Sequence, residues 1–309
     1  MKSQTLVTDG KTQSTQFDEF AYHESLVHPP LLKAAALAAE RSNSTKDASD
    51  PEKSQLEIFS PIKCVFVGGG GELATVREIL RHPSVERVVM VDIDVTVVEL
   101  CKIHLPEWGG NEVADNPRLE LIIGDAYEYL KNTTETFDAI IMDISDPIEA
   151  GPGIMLYTQE FYAHAKKLLH PVHGVFCTQA GMAESVPADL DTVAQNDPSC
   201  FAPICNTLNE VFDCVVPYSS NIPSFGSDWG YVMAFTNANV INTVEAWCRV
   251  SQKGMVDDLI EQYITGGSQS LKWYDEITHL TMFNLAKPLR KYMTKDKRIM
   301  TKDNPIFMF

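Results

Sequence analysis

From Ile62 to Gln179, short apolar runs alternate with longer segments whose apolar positions recur at helical spacing. Ile62–Val67, Glu86–Val91, Leu119–Ile123, Phe137–Asp143 and Gly174–Gln179 read as buried strands. The segments between them, Ala74–Arg81, Asp94–His104, Ala126–Lys131 and Thr158–Leu169, read as helices. Strands that alternate with helices of this length imply right-handed crossovers and a parallel, doubly wound α/β sheet. A further helix is expected near Phe201–Val211. Strands near Cys214–Ser219 and Tyr231–Thr236 should form an antiparallel edge pair, and the chain from Val240 reads as helical. Before this region, Leu6-Val7 ahead of Asp9-Gly10 predicts a strand and a hairpin turn. An alanine-rich helix is expected over Leu31–Glu40. Residues 41–57 are polar turn formers with little to bury and read as a flexible insertion, and Glu184–Pro198 is a second polar stretch.

Composition narrows the function classes. The chain has 309 residues, 44% apolar, and no apolar run near the ~18 residues of a membrane span. The start lacks the apolar core of a signal peptide, so a soluble, cytoplasmic protein with no membrane partner is expected. Seven cysteines lie scattered with no Cys-x-x-Cys pair, which argues for reduced thiols and against a zinc site. The net charge of −17 disfavours nucleic acid. It suits a cationic substrate drawn to a negative cleft, as well as mere solubility.

The chemistry gathers at the carboxyl ends of the expected parallel strands, where ligands bind in open α/β sheets. The loop Gly68-Gly69-Gly70-Gly71-Glu72 follows the first of them. Glycines allow a sharp turn and close approach of a ligand. The lysine and hydroxyl of a phosphate-binding P-loop are missing. Leu73 and Ala74 break the glycine fingerprint for a dinucleotide pyrophosphate, and Glu72 would repel phosphate and favour a cation. Asp92 ends the next strand about twenty residues on, where an acid can accept from ribose hydroxyls. Asp94, two residues later, could instead cap the next helix. Asp125, in Gly124-Asp125-Ala126, either meets an adenine amino group or caps the next helix. Asp143 and Asp146 close the fourth strand, just before Pro147. Five carboxylates on one sheet edge, Glu72, Asp92, Asp125, Asp143 and Asp146, imply a phosphate-free, positively charged adenosine ligand beside a cationic second substrate. A sulfonium such as S-adenosylmethionine or its decarboxylated form fits. Clustered carboxylates raise one another's pKa, which makes one of them a better general base near neutrality.

These motifs resemble the polyamine aminopropyltransferases, the spermidine/spermine synthase family. The matching stretches include Asp9-Gly10 with Gln13, Asp18-Glu19-Phe20 with Tyr22-His23-Glu24, Leu26-Val27-His28-Pro29, Gly69-Gly70-Gly71-Glu72, Asp92-Ile93-Asp94, Gly124-Asp125-Ala126, Asp143 with Asp146-Pro147, Leu156-Tyr157-Thr158, Gln179-Ala180-Gly181 and Ile222-Pro223-Ser224-Phe225. Within the family the chain is most similar to the thermospermine synthase branch, through Glu72, the apolar Ile144 and Phe225 followed by Trp229-Gly230. The resemblance implies a Rossmann-like (class I methyltransferase-like) catalytic domain over residues 61–309. It would be preceded by the remainder of an N-terminal β domain (1–30) and a short helix with the insertion (31–60). It implies aminopropyl transfer from decarboxylated S-adenosylmethionine, a co-substrate, to spermidine, with no cofactor and no metal. Asp143 would be the base. Gly69, Gly70, Gly71, Asp92, Ile93, Asp125, Ala126 and His23 would hold the co-substrate, and Tyr22, Glu72, Asp146, Phe225 and Trp229 the polyamine. Family members carry further β-strands ahead of the position of Thr5 that make much of the dimer contact, so a homodimer is expected where those strands are present. A spermidine synthase acting on putrescine, a methyltransferase on the same fold, a nicotinamide oxidoreductase and a polyamine-binding pseudo-enzyme are the competing readings.

Overall fold

A computed structural model describes residues 3–44, 62–149, 151, 153–184 and 199–308. The first strands, β1 (Thr5–Thr8) and β2 (Lys11–Thr15), form a separate antiparallel hairpin turned at Asp9-Gly10, both at positive φ. The main sheet contains β3 (Cys64–Gly69), β4 (Arg87–Asp92), β5 (Leu119–Ile123), β6 (Ala139–Asp143), β7 (Val175–Met182), β8 (Cys214–Ile222) and β9 (Ser227–Phe235). Their order is β5-β4-β3-β6-β7-β9-β8. The first five pair in parallel; β7–β9 and β9–β8 are antiparallel. The expected α/β sheet, N-terminal hairpin and antiparallel edge pair are all present.

The inner strands β3, β4 and β6 are buried along most of their length, which is why their interiors read as continuous apolar runs, whereas the edge strand β5 is only partly covered. Val65, Val67, Val88, Met90 and Ile141 enter one core; Phe66, Val89, Ile140 and Met142 enter the other. The connecting helices begin where short polar side chains satisfy their free N–H groups. Asp94 accepts from Thr96 and Val97 backbone N–H ahead of the helix Val95–His104, and Asp125 accepts from Tyr127 N–H ahead of Ala126–Asn132.

The first helix differs most from expectation. Helix α1 spans Glu19–Ser44 and runs through Pro29 and Pro30, where a short helix was expected only from Leu31. Proline removes the N–H that would bond four residues back. For Pro29 that leaves the Ser25 carbonyl without its helical donor, and the Tyr218 hydroxyl donates to it instead at 2.9 Å. A tertiary hydrogen bond thus replaces the missing local one. Helix α1 lies across α2 (Ala74–Leu80) and the β7–β8 side of the sheet, placing its first turns over the strand ends. Residues 45–57 of the expected insertion and 185–198 of the second polar stretch lie outside the described residues.

Candidate active site

In the strand order, β4 and β5 lie to one side of β3 and β6 to the other. The order reverses between β3 and β6, and a ligand crevice opens at such a point. Gly69 of β3 stands opposite Asp143 of β6 in the parallel register, so the glycine loop and the carboxylate share one level. Gly69 has φ of +80°, and a Cβ there would overlap the Asp143 backbone carbonyl. Glycine is required by both conformation and space. Gly70 N–H donates to that same carbonyl at 3.0 Å, fixing the loop onto the end of β6.

The Asp143 carboxylate is reached from two helices. Tyr22 of α1 donates to its Oδ1 at 2.7 Å, and Thr75 of α2 donates to its Oδ2 at 2.5 Å. Burial, with the neighbouring Glu72 charge added, raises the Asp143 pKa to about 6. Burial and the Asp143 charge hold the Tyr22 phenol well above its ordinary range, so it stays a donor.

Beside this pair His23 is fully buried. Its Nδ1 donates to the Glu19 carbonyl (2.6 Å) and faces the Glu19 carboxylate (3.0 Å), while its Nε2 meets Glu72 Oε1 at 2.8 Å. Burial alone would lower its pKa, but the bonds to Glu19 and Glu72 outweigh this and raise it to about 10. The ring is therefore an imidazolium donating from both nitrogens. His23, Glu72 and Asp143 each place a ligand-type atom within 4.8 Å of the others. With His23 protonated, the trio is an ion cluster. Arg77 ties it outward, bonding Glu19 at 2.8 Å and Glu78 at 2.7 Å.

Asp146 lies on the far side of Asp143. Burial raises its pKa, partly offset by a 3.2 Å hydrogen bond from Gln179 Nε2. Gln179 also donates to the Ile144 carbonyl and the Tyr157 hydroxyl, and its Oε1 accepts from Gly181 N–H (2.8 Å) and Trp229 Nε1 (3.1 Å). Two donor-only groups on one oxygen fix the orientation of the amide. Trp229 packs edge-on against Phe225 (4.7 Å between centroids), and Phe225 against Tyr22 (5.8 Å), so an apolar wall runs back toward Asp143. The turn carrying Phe225 is held by Ser224 N–H donating to Asp18 at 2.7 Å.

Asp92 sits across the glycine loop, its Oδ2 2.9 Å from where a Gly71 Cβ would stand, and burial raises its pKa. Ile93 beside it is exposed. Ala126 is buried, whereas Asp125 is exposed and engaged in capping; among the described residues no hydrogen bond joins Asp125 to the Asp143 cluster. Sequence reasoning singled out Tyr22, His23, Glu72, Asp143, Asp146, Phe225 and Trp229, which do converge. It assigned no role to Thr75 or Gln179, whose partners depend on strand register and helix placement. It also gave none to Glu24, whose carboxylate accepts from the backbone N–H groups of Lys272, Trp273 and Tyr274. The only hint at Thr75 was a hydroxyl in the first helical turn after the glycines. A surface depression of about 550 Å³ along Gln159, Ala163, Lys166 and Val211 includes none of these residues.

A half-buried carboxylate thus stands at a strand-order reversal, among further acids and facing an aromatic wall. Residues 19–245 match the model of the spermine/spermidine synthase domain. The chain is 38% identical over 301 residues to a polyamine aminopropyltransferase of Sulfolobus acidocaldarius (97% of this chain, 83% of that one). It is 34% identical over 304 residues to thermospermine synthase ACAULIS5 of Arabidopsis thaliana (98% and 75%). Its fold is similar to a crystal structure of spermidine synthase in complex with the transition-state analogue AdoDATO, with a TM-score of 0.67 at 25% identity over 93% of this chain and 79% of the other. The chain belongs to the spermine/spermidine synthase family.

Proposed function

We propose that this protein transfers the aminopropyl group of decarboxylated S-adenosylmethionine to spermidine, giving thermospermine and methylthioadenosine. The observation that carries the chemistry is Asp143: a half-buried carboxylate, oriented by Tyr22 and Thr75, with its pKa brought to about 6. An alkyl amine with a pKa near ~10.4 arrives protonated and cannot attack. Asp143 takes the proton from the ammonium nitrogen. The freed lone pair attacks the propyl carbon bound to sulfur, and the C–S electron pair leaves on sulfur, converting the sulfonium to a neutral thioether. Asp143 then returns its proton to water. A base with a pKa just below neutrality is largely ionised in the cell yet can hold the proton.

In this reading Asp92 accepts from the ribose, the exposed Ile93 offers an apolar surface to the adenine, and Asp125 lies at its edge. The glycine loop lets the nucleoside approach. Glu72 and Asp146 anchor ammonium groups. The Phe225–Trp229 wall supports the choice of spermidine, because a longer amine has more methylene surface to cover. The 34% identity to a thermospermine synthase supports the same choice. Product analysis tests it: purified protein with decarboxylated S-adenosylmethionine is given putrescine or spermidine. Methylthioadenosine released only with spermidine, with a product resolved from spermine, is the expected result. Release with putrescine alone would replace this reading by a spermidine synthase, and binding without release by a pseudo-enzyme.

A further inference from the structure

The segment Thr301–Met308 returns to the strand ends, and its arrival there is independent of the family motifs. Its approach is anchored stepwise. Met300 N–H donates to Thr207 Oγ1 (2.9 Å), Gln159 N–H donates to the Met300 carbonyl (2.8 Å), and Lys302 N–H donates to Glu160 (3.1 Å). Ile306 is buried in the core beneath β6 and β7. Met308 N–H then donates to the carbonyl of Pro147, the residue after Asp146, at 2.7 Å.

Gly181 shows what Met308 does there. It has φ of +70°, and the point where a Cβ would stand is 3.2 Å from Met308 Sδ and 3.5 Å from Asp146 Oδ1. The thioether and the carboxylate thus flank the same small space, left open by a glycine whose N–H is bonded to Gln179. Met308 is only half-buried. An ion-pairing carboxylate next to a flexible, polarisable apolar chain matches the alternation of ammonium and methylene in a polyamine.

We propose that Met308 forms the outer wall of the acceptor subsite at Asp146 and is a specificity-determining residue for the amine. This rests on the assignment of Asp146 to the acceptor. The methylenes next to the ammonium held by Asp146 lie against the Met308 thioether, opposite Trp229.

The test compares the parent chain with Met308→Lys and Met308→Leu in steady-state assays with decarboxylated S-adenosylmethionine and spermidine. The lysine ammonium would compete for Asp146. Its expected effect is a rise of at least tenfold in the KM for spermidine, with the KM for the co-substrate and the Tm unchanged; leucine should stay within twofold of the parent. An unchanged spermidine KM in Met308→Lys, with an active parent, overturns this inference alone. A parallel rise in both KM values, or a loss of Tm, also overturns it, because the segment would then be only structural. If the parent transfers to no amine, the proposed function falls. Calorimetric titration of spermidine into parent and Met308→Lys then decides the inference: tenfold weaker binding by the variant supports it, and equal or absent binding overturns it.

Discussion

Replacing His23 with glutamine removes the imidazolium between Glu19 and Glu72. The His23 pKa is raised from its ordinary 6.5 to about 10. Each pKa unit corresponds to about 1.4 kcal/mol, so the folded state gains on the order of 5 kcal/mol from the protonated ring. Because the folded pKa is the higher one, this contribution is complete below about pH 6.5 and disappears as pH rises to about 10. At pH 7 roughly 4 kcal/mol of it remains. The side chain is fully buried, so solvent screening does not reduce it. Loss of the charge also leaves two carboxylates without their partner, a defect of similar size. Urea unfolding of parent and His23→Gln at half-unit steps from pH 6 to 10 measures the difference. The expected gap is several kcal/mol at pH 6–7, narrowing by about 1.4 kcal/mol per pH unit above that. A gap under 1 kcal/mol at pH 7, or one independent of pH, would refute the imidazolium. His23 also holds the Asp143 pKa down, so the acidic limb of turnover should move to higher pH in the same variant.

Gly69→Ala should cost at least ~2 kcal/mol in urea unfolding, since it strains a positive φ and meets the Asp143 carbonyl. Gly124→Ala, with nothing within 4 Å of a Cβ, is the control and should be nearly neutral. Tyr218→Phe should cost about 1–3 kcal/mol, because the Ser25 carbonyl loses the donor that stands in for the Pro29 N–H. Faster amide exchange confined to the first half of α1 would locate that loss.

The parallel half of the sheet was legible because burial on both faces leaves apolar runs in the interiors of β3, β4 and β6. Their ends were legible because glycine and aspartate interrupt those runs. Pro29-Pro30 concealed α1, since local chain chemistry forbids what Tyr218, nearly two hundred residues on, permits. Asp94 and Asp125 illustrate a different limit: an acid after a strand suits a ligand or a helix cap equally, and the hydrogen bonds to Thr96 and Tyr127 resolve only the capping role. The contacts of Gln179 and Met308 were out of reach because the pairing of β7 with β9 and the return of residues 301–308 follow no sequence periodicity.

The most direct test of Asp143 as the base is methylthioadenosine release with spermidine by the parent and by Asp143→Asn between pH 5 and 9. The parent should show an acidic limb near pH 6. The variant should lose at least about a hundredfold in turnover across the range, as expected for removal of a general base, while binding methylthioadenosine normally. Near-parent turnover by Asp143→Asn, or the same acidic limb in both proteins, would contradict the account.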